Sequence, residues 1–328
     1  MRTAFVKLPG HPDKACDLVA EAIVDEYVRR DPETRIRLAV TGGRGALFVC
    51  GDVKTAADFD VASVVRRTIG SLGIAADLEP FVSIEPVAPE QAPLVASGIL
   101  SPVTVTGYAT TETPERVPVP VAMARRIAKA LEEKRQRDES WFWLGPDGGV
   151  FASCANGTPL LVSVLVEHGV TSIEEVRANV TDLVKEVAPD ATVRVNELGA
   201  NEARGLGLAI GASGRDVSAY GSLLPSAAGG IGLEPAHAEK AGTWLARDAA
   251  RRLVESGANA ALVHLTWHPG EKIPAKIHAR DERGKDLSKL IDRDSLSLDR
   301  AMKDWWRPGL CAEAARWGFA GEAGLPWE

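Results

Sequence analysis

The sequence contains little of what several common protein classes require. Its 328 residues include four cysteines, Cys16, Cys50, Cys154 and Cys311, and no CxxC pair. Such scattered thiols argue against a disulfide framework or a zinc site and are typical of reduced cysteines in a cytosolic protein. No apolar run reaches the ~20 residues of a membrane-spanning helix, and the N-terminus lacks the apolar segment of a signal peptide. We therefore expect a cytoplasmic protein with no membrane partner.

Positive charge is also scarce. Lysine and arginine number 38 against 45 aspartates and glutamates, which gives a net charge of -7 and a pI near 5.5. Because nucleic-acid binding depends on a basic surface, we expect no nucleic-acid partner. The hydrophobic fraction of 45% and charged fraction of 25% are those of a soluble globular chain. The length favours two or three domains.

Hydrophobic periodicity predicts helices and strand pairs that alternate three times along the chain. This order favours an α+β fold with helices on one face of mixed or antiparallel sheets. We divide it into three similar α+β domains over residues 1–105, 106–200 and 201–328, with approximate boundaries and domains that can interleave. The predicted helices cover 13–30, 56–73, 118–134, 172–187, 235–254 and 296–306, and the predicted strands 35–53 (a pair), 258–267 and 274–280.

The sequence also predicts one hairpin turn, one helix cap and one long loop. Asn156-Gly157 between apolar runs predicts a hairpin. Ser172 with Glu175 forms a capping box at a helix start. Residues 74–106 are rich in proline and small residues and lack periodicity, so we expect a loop there. Either an active-site lid or a surface excursion would fit this loop.

The stretch PGHPDKACD places titratable groups at the start of a predicted helix. His11 precedes Pro12, which disfavours helical geometry, so its ring is expected in the entry loop. Asp13 can cap the helix or hold a hard cation such as Mg²⁺. For the triplet alone, a capped helix with an incidental histidine is the favoured interpretation.

Longer segments resemble the methionine adenosyltransferases, also called S-adenosylmethionine synthetases. The stretch GHPDKACDLVAEAIVDEYVRRDPETR resembles their N-terminal signature. Four later pieces match in the family's order and extend the resemblance over almost the whole chain. These are GYATTETPE (Gly107–Glu115), WLGPDGG (Trp143–Gly149), GRDVSAYGSLLP (Gly214–Pro225) and GFAGEAGLPWE (Gly318–Glu328).

The resemblance implies three α+β domains about a pseudo-threefold axis. It also implies a homodimer whose active sites lie at the subunit interface. The family reaction joins the sulfur of methionine to the 5′ carbon of ATP and expels tripolyphosphate, which is then hydrolysed to phosphate and diphosphate. ATP and an amino acid, methionine or an analogue, are thus the expected small-molecule partners, with Mg²⁺ as cofactor and K⁺ as a doubtful second ion.

Site residues follow from the same resemblance, position by position. His11 and Arg215 would be catalytic, with His11 stabilising the departing 5′ oxygen and Arg215 gripping phosphate. Asp13 and Glu239 would bind Mg²⁺, and Asp52 would contact the amino-acid substrate. Nucleotide binding would fall to Asp147, Lys14, Lys240 and His237.

The chain also departs from the family pattern on the methionine and polyphosphate side. Ser101-Pro102-Val103 stands where the family has an aspartate-glutamine-glycine segment that helps hold methionine, and Ala39 stands at the potassium-associated glutamate. Basic family positions map to Gly149, Leu233 and His237. Three functions therefore remain open: a working synthetase, a paralogue that attaches the adenosyl or another nucleoside group to a different nucleophile, and an inactive nucleotide-binding partner of an active synthetase.

Overall fold

A computed structural model describes residues 1–75, 77–96, 99–202, 205–216, 219–224 and 229–328. Helices and strands follow one another along these ranges. The helices are α1 (Pro12–Arg30), α2 (Val61–Ser71), α3 (Ala92–Ala96), α4 (Val119–Arg137), α5 (Ile173–Val187), α6 (Gly205–Leu208), α7 (Ala238–Glu255), α8 (Leu298–Arg300) and α9 (Leu310–Trp317). The strands are β1 (Arg2–Lys7), β2 (Arg35–Gly43), β3 (Ala46–Lys54), β4 (Glu79–Pro86), β5 (Val103–Thr110), β6 (Leu144–Ala155), β7 (Thr158–His168), β8 (Thr192–Val195), β9 (Gly211–Ala212), β10 (Ala260–Trp267) and β11 (Lys276–Asp281).

Three sheets organise the described chain. Their strand orders are β4-β3-β2-β9, β1-β6-β7-β8 and β11-β10-β5. The first two are mixed, because β3 pairs with β4 and β7 with β8 in parallel, whereas the third is antiparallel. Helices α1, α4 and α7 pack on the first, second and third sheets respectively. The predicted α+β class, with helices on sheets of mixed or antiparallel pairing, is confirmed.

The sheets are built from strands that lie far apart in sequence. β1 pairs with β6 of the central region, and β5 pairs with β10 near the C-terminal third. The short β9, from the last third of the described chain, pairs with β2 from the first third. Residue 105, where we place the first domain boundary, lies inside β5. The interleaving of strands is thus visible, while the boundaries themselves stay a prediction.

Local sequence signals explain several element ends. Asn156 and Gly157 have φ values of 49° and 81° and connect β6 to β7, as a tight hairpin turn requires. Ser172 caps α5 by accepting a hydrogen bond from the Glu175 N–H at 3.3 Å. The hairpin and the cap are confirmed.

The expected loop over 74–106 is wrong in part. β4 pairs in parallel with β3 at the edge of the first sheet, and α3 follows it. Most β4 side chains are exposed, so the strand has no buried face that would give alternating hydrophobicity. The predicted helix over 296–306 is also shorter than expected, since α8 passes at once into a wide helical turn over Ala301–Trp305.

Helix α1 carries an acidic stripe, defined as Asp13, Asp17, Glu21 and Asp25, with one carboxylate every four residues. Asp17, Glu21 and Asp25 are buried. Such spacing places all four on one face of the helix. Backbone N–H groups from remote segments donate to this face: Ala212 to Asp13 (3.1 Å), Gly214 to Asp17 (2.7 Å), Gly232 to Glu21 (2.7 Å), and Cys311 and Ala312 to Asp25 (3.2 and 3.0 Å).

Two buried lysines balance the stripe. Lys240 of α7 donates to Glu21, and both side chains are almost fully buried. Lys14 lies beside Asp17 (3.7 Å) and Asp216 and donates to the Ala315 carbonyl at 3.0 Å. The Lys240–Glu21 ion pair connects α1 to α7, and the Lys14 hydrogen bond connects α1 to the C-terminal segment. Among the helices that the structure describes, none is long and apolar enough to cross a membrane.

We predict that Lys240→Met destabilises the protein by about 3–5 kcal/mol, because it leaves the buried Glu21 carboxylate without a counter-charge. Adding Glu21→Gln removes the stranded charge and keeps an oxygen for the Gly232 N–H. The double variant should therefore recover most of the loss, as measured by urea unfolding at fixed protein concentration. A double variant no more stable than Lys240→Met alone would show that the charge of Glu21 is not the cause.

Candidate active site

The predicted site residues fall into two groups, one at the start of α1 and one at the start of α7. In the first group, His11 caps α1: its Nδ1 accepts a hydrogen bond from the Asp13 N–H at 3.2 Å. Burial, followed by the charge of Lys7, lowers the pKa of His11 to about 4, so the ring is neutral at pH 7. Because Nδ1 accepts, the proton of the neutral ring lies on Nε2, which becomes a donor.

Asp13 is oriented by three neighbours. Lys7 Nζ lies 3.0 Å from one carboxylate oxygen, and the Ala212 N–H and Arg215 Nη1 lie 3.1 and 3.8 Å from the other. Burial alone would raise the pKa of Asp13, but the hydrogen bonds from Lys7 and Ala212 outweigh it and lower that pKa. Asp13 is thus an ionised, fixed carboxylate, and Arg215 is brought next to it with a largely exposed side chain.

Close backbone contacts bring Asp147 to the same end of α1. The Gly10 N–H donates to the Pro146 carbonyl at 3.0 Å, and a Cβ at Gly10 would lie only 2.5 Å from Pro146. Only glycine permits this approach. Burial and the nearby Glu167 carboxylate raise the pKa of Asp147 to about 6.

The second group surrounds the start of α7, where His237 caps the helix as His11 caps α1. Its Nδ1 accepts from the Glu239 N–H, again at 3.2 Å. The Glu239 side chain is exposed. Asp52, His237 and Glu239 line one cavity of about 210 Å³. There Arg37 donates two hydrogen bonds to the Asp52 carboxylate, with N···O distances of 3.1 and 2.6 Å.

The two groups lie at the starts of different helices, α1 and α7. The first comprises His11, Asp13, Asp147 and Arg215, and the second comprises Asp52, His237 and Glu239. Lys14 and Lys240 are buried in the ion pairs of the acidic stripe. Their assignment as nucleotide contacts is untested, and their burial with carboxylate partners favours a structural role.

Sequence reasoning missed the residues that orient the predicted ones. Lys7, on β1, was not visible as the partner of Asp13, because strand pairing brings it to the start of α1. Arg37 faces Asp52 across the β2–β3 pair, a register that follows from the predicted hairpin. The four-residue spacing of the acidic stripe was visible in the sequence and would have identified a charged helix face.

The fit of a divalent cation depends on the donors present. Among the described residues no group of three or more histidine, cysteine, aspartate or glutamate side chains is close enough to hold a metal. Each group instead offers one carboxylate at a helix start, Asp13 or Glu239. Mg²⁺ is commonly bound by one or two carboxylates together with substrate phosphates and water. The donors fit that mode of binding and no dedicated protein cage.

Comparisons with known proteins agree with this architecture. The family models for the N-terminal and central domains of S-adenosylmethionine synthetase match residues 3–85 and 101–197, which together make up more than half of the chain. The S-adenosylmethionine synthase of Aquifex aeolicus is 27% identical over 100% of this chain and 96% of its own length. That of Petrotoga mobilis is 29% identical, covering 82% of this chain and 79% of its own.

A solved structure resembles the fold. It is described as an unusual S-adenosylmethionine synthetase from Campylobacter jejuni, with a TM-score of 0.83, 19% identity, and coverage of 99% of this chain and 96% of that one. Together with the helix-start residues, these matches define a methionine adenosyltransferase-like transferase. The chain belongs to the S-adenosylmethionine synthetase family and is a divergent member of it.

A pH-dependent contribution to stability follows from the α7 cap. Burial, then the charge of Lys240, lowers the pKa of His237 to about 4, against about 6.5 in an unfolded chain. The unfolded state therefore binds a proton first, and the stability present above pH 6.5 is lost as pH falls towards 4. His237→Asn keeps a capping oxygen but does not titrate.

We predict that His237→Asn reduces the loss of unfolding free energy between pH 6.5 and 4 by about 1–3 kcal/mol. The comparison must be the variant minus the wild type, because the raised pKa values of Asp17 and Asp25, each about 6, make an opposite contribution in the same window. Urea unfolding at several pH values gives this difference. His268→Asn, at an exposed position, is the matched control, and an equal effect of both variants would contradict the assignment.

Proposed function

We propose that the protein transfers the 5′-adenosyl group of ATP to the sulfur of methionine, forming S-adenosylmethionine and tripolyphosphate, which it then hydrolyses to phosphate and diphosphate. The observation that carries this proposal is the first turn of α1. There, His11 is held neutral with a donor on Nε2, beside the fixed carboxylate of Asp13. Family membership supports adenosyl transfer in general.

The proposed reaction needs no general base. The sulfur of a thioether is a neutral nucleophile, so the S–C5′ bond can form as the C5′–O bond breaks without prior proton removal. The difficulty is the charge that develops on the leaving oxygen, which positioned donors stabilise. In this proposal the Nε2–H of His11 donates to that oxygen and Arg215 binds the polyphosphate.

Mg²⁺ would be held by Asp13 and Glu239 and would supply charge neutralisation on the phosphates. Within this chain, Lys7 supports the same end of the site by fixing Asp13 at 3.0 Å. Lys14 and Lys240 act in our proposal as buried partners of the acidic stripe, since both ammonium groups lie away from solvent. Asp147 lies near the α1 start and is proposed to contact the nucleotide.

We infer that a complete site combines the α1 group of one chain with the α7 group of a second copy. The distribution of these residues over two helix starts supports this arrangement, because neither group alone offers both the leaving-group donor and the second carboxylate. A twofold homodimer would contain two such composite sites. This dimer is the expected assembly for the family.

One observation favours a second candidate, a paralogue with a different nucleophile. Both oxygens of Asp52 already accept a hydrogen bond from Arg37, so an ammonium group would have to share this carboxylate with a guanidinium group. Ser101-Pro102-Val103 also replaces the family segment that helps hold methionine. The adenosyl-transfer step would be the same, with another soft nucleophile in place of methionine.

The test is mass spectrometry of the purified protein with ATP, Mg²⁺ and methionine. Asparagine is a good capping residue, so His11→Asn should leave the unfolding temperature nearly unchanged. We expect the rate of product formation to fall by about 10²-fold or more, since it loses a donor to the leaving oxygen. His268→Asn should match the wild type. No adenosylmethionine from the wild type would reject methionine as the nucleophile, and an active His11→Asn would reject the role of His11.

Subunit complementation tests the composite site. Homodimers of His11→Asn and of Glu239→Gln should each be nearly inactive. In a heterodimer of the two, one site carries both substitutions and the other carries neither. An equal mixture after subunit exchange should therefore regain about a quarter of the wild-type activity. If mixing restores no activity in exchanged dimers, both groups must act within a single chain.

A further inference from the structure

A cavity of about 210 Å³ lies between β2, β3 and the start of α7. One part of its wall is charged and contains Arg37, Asp52 and Glu239. Another part is apolar, formed by Val95, Ile99 and Leu233. A charged end opposite an apolar wall suits a small molecule with one ionised group and an aliphatic chain.

Arg37 and Asp52 face each other across the β2–β3 pair. Arg37 donates from Nε to one oxygen at 3.1 Å and from Nη2 to the other at 2.6 Å. This fork uses the side edge of the guanidinium group. Nη1 makes no hydrogen bond to any residue in the described ranges, so the end edge, Nη1 with the second hydrogen of Nη2, is available to a ligand.

The sequence suggests that Asp52 contacts the amino-acid substrate. The pairing of Asp52 with Arg37 indicates instead that Arg37 makes this contact. A carboxylate that accepts two charge-assisted hydrogen bonds is already paired, and an incoming ammonium group would have to compete with them. The guanidinium still offers a planar edge that matches a carboxylate. Asp52 also fixes the orientation of Arg37, which reduces the entropy lost when a ligand binds.

The surroundings add charges of both signs and limit the size of the ligand. Arg35, 22% exposed, lines the same cavity, with Nε 3.9 Å from Glu234. The two guanidinium groups thus share the cavity with the carboxylates of Asp52, Glu234 and Glu239, which disfavour an anion of high charge. The cavity is smaller than the roughly 300–1,000 Å³ of sites for drug-sized ligands. The apolar wall matches an aliphatic chain, a feature that polyphosphate lacks. A small organic acid therefore fits better than the phosphates of a nucleotide.

We propose that Arg37 is a specificity-determining residue that binds the carboxylate of the nucleophilic substrate. Asp52 is then a positioning residue that holds Arg37 and does not itself contact the substrate. The substrate class is a small aliphatic acid that carries a thioether or another soft nucleophile. The inference rests on the proposed function for the identity of this substrate as the adenosyl acceptor.

The test measures binding by calorimetry with the full-length protein and a non-hydrolysable ATP analogue, so that it does not depend on turnover. The probes are L-methionine, L-methioninamide, which lacks the carboxylate, and 3-(methylthio)propanoate, which lacks the amino group. Tripolyphosphate, titrated without the ATP analogue, is the fourth probe. Arg37→Met should raise the Kd of the two carboxylate probes at least about tenfold, because hydrogen bonds between charged groups are strong. The Kd of the amide should stay unchanged.

Two further variants separate positioning from contact. Asp52→Asn should weaken the carboxylate probes less than Arg37→Met does, and Arg37→Lys should rescue binding only in part because it loses the planar edge. Arg66→Met is the matched control, since Arg66 forms an exposed ion pair with Glu79 at 3.2 Å on other elements. It should leave every probe unaffected.

Several outcomes would overturn the inference. The first is that Arg37→Met raises the Kd of the amide as much as that of the acids. The second is that neither acid binds to the wild type. The third is that Arg37→Met weakens the binding of tripolyphosphate only. The last would identify the bound anion as polyphosphate. Failure of the proposed function is a separate result: the acids bind and depend on Arg37, but no adenosyl product forms with ATP.

Discussion

The acidic stripe of α1 is the interaction on which the rest of the structure depends. Its carboxylates accept hydrogen bonds from backbone N–H groups nearly 200 to 300 residues away in sequence, at 212, 214, 232, 311 and 312. These contacts fix the segment that carries Arg215 and the approach to α7 against α1, the helix that His11 caps. Burial makes them costly, since it raises the pKa values of Asp17 and Asp25 to about 6. Strong partners are therefore required along the whole stripe.

The buried carboxylates of the acidic stripe need positively charged partners, and this need reduces the number of lysine side chains that can contact a substrate. Lys14 and Lys240 lie close to the proposed active-site groups in sequence, yet both are used to balance buried carboxylates. In the proposed reaction, the polyphosphate would then be neutralised by exposed groups such as Arg215 and by a bound cation. The buried lysines hold the fold, and the exposed groups at the two helix starts are the ones that we propose to meet the substrates.

Much of the fold could be predicted from the sequence, because local signals decide it. The helix starting near Asp13, the hairpin at Asn156-Gly157 and the cap at Ser172 all follow from residues within a few positions of one another. Edge strand β4 could not be predicted, since its exposed side chains leave no periodic pattern. The burial of Lys14 and Lys240 was equally hidden, because it depends on carboxylates and carbonyls contributed by other elements of the fold.

The two helix starts show how one local arrangement can serve two tasks. His11 and His237 cap α1 and α7 in the same way, each accepting the N–H two residues ahead at 3.2 Å, and each is followed by a buried lysine. Their surroundings differ: Lys7 and Arg215 meet Asp13, whereas Arg37 and an apolar wall surround the cavity beside Glu239. The cap is therefore set by the helix, while the surroundings of each cap are set by the segments that reach it. In the proposed site, a change of substrate would require new side chains on β2, on β3 and at the apolar wall of Val95, Ile99 and Leu233, and the helix starts could stay as they are.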